Sequence, residues 1–139
     1  MNLAHLMDEV EALVHTVFAA ADVPRGMALK VERFSYRTLF ETHLGIDPHG
    51  ATLDQLALLA ERELELVATD LSRTDYLQLL LSHCIEPNLP AACFIFDYPV
   101  DQAALARIEE DDSGQRVGRR FELFLAGMEV ANGKLGSMQ

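Results

Sequence analysis

Phe94-Ile-Phe-Asp-Tyr-Pro-Val-Asp-Gln-Ala-Ala-Leu-Ala-Arg107 and Arg120-Phe-Glu-Leu-Phe-Leu-Ala-Gly-Met-Glu-Val-Ala-Asn-Gly133 decide how this chain folds. Ala91 to Tyr98 is an apolar run, rich in aromatics and bounded by Pro90 and Pro99. That composition predicts a strand buried on both faces. Val100 to Ile108 reads as a short helix and Glu109 to Gly114 as an acidic loop. Val117 to Leu125 and Met128 to Ala131 read as strands joined at Gly127 in a hairpin. The last strand presents Glu129 and Asn132 along a Gly-punctuated edge.

Upstream the pattern turns helical. Leu3, Leu6, Met7, Val10, Leu13, Val14, Val17 and Phe18 recur at helical spacing between residues 3 and 20, with acids opposite. Asp22-Val-Pro24-Arg-Gly26 ends that helix, and Met27 to Phe34 reads as a short extended connection. Ser35 is a plausible N-cap for Tyr36 to Leu44, with Gly45 as the stop. Thr52-Leu-Asp-Gln55 is a capping box, since hydroxyl and amide can each satisfy an orphan N–H. The helix it opens is expected to pack Leu53, Leu56, Ala57, Ala60, Leu64 and Val67 on one side. Ser72-Arg-Thr-Asp75 caps another, with Tyr76, Leu79, Leu80 and Cys84 on its apolar face, broken at Glu86-Pro87-Asn88-Leu-Pro90. The class is therefore α+β: residues 1–90 mainly helical, 91–133 an antiparallel sheet with one short helix, helices packed to one side or end, and a tail at 134–139.

At 139 residues the chain reads as one domain with a core of its own. No apolar run approaches the roughly 20 residues that cross a bilayer. The N-terminal segment carries Asp8, Glu9 and Glu11 rather than a basic stretch before an apolar one, so a cytosolic protein is expected. Cys84 and Cys93 form neither a metal pattern nor a disulfide framework and read as small core residues. Net charge is −11 with only two lysines, Lys30 and Lys134, which argues against phosphate-backbone binding. The one basic cluster, Arg116-Val-Gly-Arg119-Arg120, is short and leads into a strand.

The order of these features resembles the class II lysyl-tRNA synthetases, and within them the shorter paralogues that attach lysine to elongation factor P. The resemblance rests on Leu6-Met-Asp-Glu-Val10; on Ser35-Tyr36, Phe40 and Gly45-Ile-Asp-Pro48; and on Leu77-Gln-Leu-Leu80 with Ile85-Glu-Pro-Asn88. Pro99, Gln102, Ala103 and Leu105 continue it, and Arg120-Phe-Glu122, Gly127, Glu129, Ala131, Asn132 and Gly133 complete it. It implies lysine activation by ATP with Mg²⁺, a lysyl-adenylate, and transfer to elongation factor P. It also implies that Glu129 and Val130 contact ATP, that Glu129 holds the metal, and that Asn132 sits near the lysine. No residue is assigned a catalytic role.

The chain departs from the pattern at two positions. A second glutamate would stand at position 136, where the chain has Gly136, and Asp101 replaces a serine. The arginine signatures of motifs 2 and 3 would lie before Met1 and after Gln139. A phosphoryl-transfer site depends on such preorganised charges. The expectation is a central segment of the ligase catalytic domain, inactive alone and prone to self-association through uncovered sheet edges. The alternative is a non-catalytic interaction module or a decayed remnant. α-Lysine and β-lysine are equally compatible.

Plainer readings stand beside these. Glu129 is by itself an ordinary strand carboxylate, and Asn132-Gly133 a common turn dipeptide. Glu61-Arg-Glu63-Leu-Glu65 reads as a solvated helix face. His43 and His49 around Asp47 make a weak metal signal, and His5, His15 and His83 read as surface or boundary residues.

Overall fold

A computed structural model describes residues 2–20 and 30–136. The elements run α1 (Leu3–Ala20), β1 (Glu32–Ser35), α2 (Tyr36–Leu44), α3 (Leu53–Leu64), α4 (Arg73–Leu80), β2 (Ala92–Tyr98), β3 (Ile108–Glu110), β4 (Arg116–Leu125) and β5 (Met128–Lys134). The connection Asp22–Gly26 lies outside the described residues.

The helix ends form where the local chemistry places them. Ser35 Oγ accepts from Thr38 N at 3.0 Å, and Gly45 closes α2 at φ 67° with its N–H on Glu41 O. Thr52 and Gln55 exchange both capping bonds, at 3.1 and 2.9 Å, as do Ser72 and Asp75. Helix α3 buries Leu56, Leu59 and Ala60, whereas Leu53 lies toward solvent. Val67, expected on the packed side, is 76% exposed because the left-handed Glu65 has already ended the helix. On α4 the fully buried residue that the expected face omitted is Leu77. A π-helical turn, Leu81–Ile85, and a 3-10 turn, Glu86–Asn88, lead from α4 toward β2.

The sheet is mixed rather than wholly antiparallel. β2, β4 and β5 pair antiparallel in the expected hairpin arrangement, but β1 runs parallel to β2, with Glu32 opposite Cys93. β3 pairs with β4 from Ile108 to Glu110. The short helix expected over Val100–Ile108 is only a 3-10 turn, Val100–Gln102. Ala104 at φ 51° interrupts the helical path, and the segment that follows pairs with β4 instead. Glu109 and Glu110 are therefore strand residues and not loop. Strand β5 extends past Ala131 to Lys134, and Leu135 N still donates to Arg119 O, so pairing continues into the tail.

Helices cover both faces, not one. Cys93, Ile95, Tyr98 and Phe124 face α2, α3 and α4 and share a core with Tyr36, Phe40, Leu56, Leu77 and Ile85. Phe94, Ala92, Phe121 and Leu123 face the other way, onto Leu3 and Met7 of α1. The alternation of β2 between two apolar layers is why its sequence is apolar almost throughout. A bulge at Asp97, which takes φ 58°, breaks the register between Phe96 and Tyr98. The extra residue is on β4, where Arg119 and Arg120 stand against the single Asp97, and the left-handed Asp97 turns Tyr98 onto the α2–α4 side, where strict alternation would have sent Asp97.

Candidate active-site groove

The hairpin turn Ala126-Gly127 takes positive φ at both residues, 52° and 78°, the geometry that matches the twist of two-residue hairpins. From it the ladder pairs Leu125 with Met128 and Phe124 with Glu129. Beyond that pair the register slips: Leu123 faces Ala131 and Glu122 faces Asn132, leaving Val130 as the unpaired bulge residue. Residues three apart on a regular strand point to opposite faces. The bulge instead sets Glu129 and Asn132 on the same face as Glu122 and Phe124. Asn132 Nδ2 reaches Glu129 Oε1 at a long 3.5 Å.

This face meets α4 and the π turn in a groove of about 580 Å³. Asp75, Glu86, Glu122 and Glu129 line it, with Arg120 as its arginine. Arg120 is committed: its guanidinium donates to Glu122 Oε1 at 2.6 Å and to the Gln102 carbonyl at 3.1 Å. Tyr98 donates its hydroxyl to Glu122 Oε2 at 2.7 Å. Burial, followed by the adjacent Glu122 carboxylate, holds the Tyr98 phenol well above the usual tyrosine range, so it serves as a donor. Burial lifts the Glu86 carboxyl above its ordinary value, and the Glu122 and Glu129 charges add to the lift. The groove therefore concentrates negative charge.

Of the residues singled out in the sequence, Glu129 lines the groove, Asn132 stands beside it bonded to Glu129, and Val130 is the exposed bulge. Glu122, Tyr98, Glu86 and Arg120 were given no site role by the sequence. Counting outward from the Ala126-Gly127 turn would have placed Ala131, not Asn132, opposite Glu122, because nothing in the residues announces the bulge. Gly136 sits beyond β5 in a bridge to Ala106, with open space where a side chain would project. The missing carboxylate there is thus not a steric necessity. Asp101 is engaged elsewhere, accepting from Arg73 Nε at 3.2 Å. Arg73 in turn braces the carbonyls of Pro48 and Ala51, holding the loop before α3.

Among the described residues no group of three or more His, Cys, Asp or Glu side chains is arranged to hold a metal ion. His49 Nδ1 is buried with no hydrogen-bond partner among the described residues, and burial lowers the His49 pKa. Cys93 is buried, with its thiol pushed up to about 11, and Cys84 is half-buried. No helix among the described residues is long and apolar enough to cross a membrane. A larger cleft, about 710 Å³, opens on the α1 face around the Asp97–Arg119 ion pair and contains none of the predicted site residues.

This α+β fold, a five-stranded mixed sheet with helices on both faces, is consistent with a class II synthetase-like domain. The family model for class II tRNA synthetases (D, K and N) matches residues 1–137, and the chain belongs to that family. Within it, the chain is 37% identical over 132 residues to an elongation factor P--(R)-beta-lysine ligase of Pseudoalteromonas translucida (strain TAC 125), covering 92% of the chain and 38% of that ligase. It is 36% identical over 136 residues to the ligase of the same name from Enterobacter sp. (strain 638), covering 95% and 39%. The Haemophilus ducreyi ligase is 31% identical over 134 residues, covering 95% and 38%. The chain thus spans under two-fifths of the length of the curated relatives it matches.

Proposed function

We propose that this chain supplies the carboxylate-bearing hairpin of an ATP- and Mg²⁺-dependent ligase site that activates lysine, or β-lysine, for transfer to elongation factor P in the cytoplasm. The observation that carries the reading is the Val130 bulge, which gathers Glu129, Asn132 and Glu122 on one face of an acidic groove. Glu129 and Val130 are placed at the nucleotide, with Glu129 also at the metal and Asn132 at the amino-acid substrate.

The residues fit Mg²⁺ in its usual protein setting, which takes one or two carboxylates, with substrate phosphates and water supplying the remaining oxygens. Glu129 and Glu122 would hold it. When bound, Mg²⁺ neutralises phosphate charge. The chain's own contribution is to orient. Asn132 stands within a long 3.5 Å of the Glu129 carboxylate, and the groove's negative potential draws the ammonium groups of the amino acid. Among the described residues its one lining arginine is spent on Glu122, so no cationic side chain of the groove is free to grip a transferring phosphoryl group. Binding without turnover is the expected behaviour of the chain alone.

Calorimetric titration with lysine and Mg²⁺·ATP tests this. The parent should show saturable binding that Glu129→Ala weakens by about tenfold or more. Heat that is absent in the parent, or unchanged in Glu129→Ala, would contradict the reading.

A further inference from the structure

Both oxygens of the Glu122 carboxylate are held by the fold's own donors. Tyr98 donates to one at 2.7 Å and Arg120 to the other at 2.6 Å. These two donors brace each other: the guanidinium carbon of Arg120 stands 4.2 Å from the centroid of the Tyr98 ring, a cation–π contact. The outer members of the brace are also tied. Arg120 donates to the Gln102 carbonyl at 3.1 Å, and Gln102 Nε2 donates to the Tyr36 hydroxyl at 3.3 Å. The Tyr36 ring lies 5.0 Å from that of Tyr98. Tyr98 is 1% exposed and reaches this face only because of the bulge at Asp97. Two register breaks, one between β2 and β4 at Asp97 and one on β5 at Val130, thus converge on a single carboxylate.

An ionised carboxylate offers about four lone-pair positions. Two of Glu122's are taken by Tyr98 and Arg120, and the Glu122 side chain lines the groove beside them. We propose that Tyr98 and Arg120 are positioning residues, which lock Glu122 so that its remaining lone pairs face the divalent cation of a bound nucleotide. The proposal rests on the nucleotide–Mg²⁺ reading of the groove given above. Outer donors of this kind fix a ligand's orientation, and losing one typically costs about 10–100-fold in metal affinity. A tyrosine that served packing alone would lose nothing at the metal when only its hydroxyl is removed.

The test uses the chain with ¹³C-labelled glutamate, Mn²⁺·ATP as a paramagnetic probe, and the variants Tyr98→Phe, Arg120→Lys and Glu129→Ala. Tyr98→Phe keeps the ring, while Arg120→Lys keeps the charge but cannot span both acceptors. Side-chain couplings in the parent should report one rotamer for Glu122, and those in Tyr98→Phe rotamer averaging with backbone amide dispersion preserved. The concentration of Mn²⁺·ATP that half-broadens the Glu122 and Glu129 signals should rise about tenfold in Tyr98→Phe and in Arg120→Lys. Rotamer averaging already present in the parent overturns the proposal without need of any variant. So does unchanged Mn²⁺·ATP affinity in either folded variant where Glu129→Ala weakens it, and then the groove reading survives. Broadening that spares both Glu122 and Glu129 in the parent defeats the nucleotide reading itself, and the role of the brace with it.

Discussion

Glu86 stands at the mouth of the groove with no hydrogen-bond or ion-pair partner for its carboxylate among the described residues, facing Glu122 and Glu129. Its folded pKa lies above its unfolded one, so the native state binds the extra proton. Stability is then lost as pH rises from the unfolded value of about 4.5 through the folded value. Glu86→Gln should therefore raise the thermal midpoint at neutral pH. It should leave the midpoint unchanged near pH 3.5, about a unit below the ordinary glutamate value. An equal gain at both would remove the burial of the Glu86 charge, and the like charges beside it, as the cause. Gly133 carries the second residue-scale prediction. It lies opposite Phe121 within β5, and a Cβ there would come within 2.5 and 2.6 Å of the buried Phe121 ring. The glycine is a bed for an aromatic ring, not a turn residue. Gly133→Ala should destabilise the chain by about 1–3 kcal/mol in urea unfolding. A change below the error of the fit would place the ring elsewhere.

At the scale of elements, the capping boxes are the most local devices in the fold. Thr52→Ala removes the side-chain acceptor for Gln55 N, and should cost about 1 kcal/mol with the denaturant slope unchanged. A neutral result would mean that tertiary packing alone sets the start of α3. The caps at Ser35, Thr52 and Ser72 were legible in the sequence because donor, acceptor and spacing all lie within four residues. The apolar strand β2 and the hairpin were legible because burial on two faces and a Gly turn leave direct compositional marks. The bulges at Asp97 and Val130 were not, although they decide which side chains meet in the groove. Each is fixed by the partner strand and leaves no local signature. The helix expected over Val100–Ile108 failed for a tertiary reason. Ala103 packs so close to Gly118 that a Cβ on the glycine would lie 2.7 Å from that of Ala103, and Ile108–Glu110 is captured by the edge of β4. The periodicity of α1 was read correctly, yet only Leu3 and Met7 are buried.

For the molecule as a whole, the two faces of the sheet are unequally covered. α2, α3 and α4 seal one side, while α1 leaves Leu13 and Val17 more than half exposed on the other. Met128 and Val130 project apolar surface from β5. β1 pairs only with β2 and β5 only with β4, so each has an outer edge without a strand partner among the described residues. Apolar patches beside open edges favour pairing between chains. Sedimentation at rising concentration should show the average mass climbing above that of the monomer, and a concentration-independent monomer would refute that expectation. We propose that the groove, with Glu122, Glu129 and Asn132 gathered on one face, receives Mg²⁺·ATP and lysine. Residue-resolved amide shifts of the ¹⁵N-labelled chain, titrated with both ligands, test it most directly. The largest shifts should fall on Glu122, Glu129 and Asn132 and be lost in Glu129→Ala. Shifts confined to the cleft around Asp97 and Arg119, or none at saturating ligand, would contradict it.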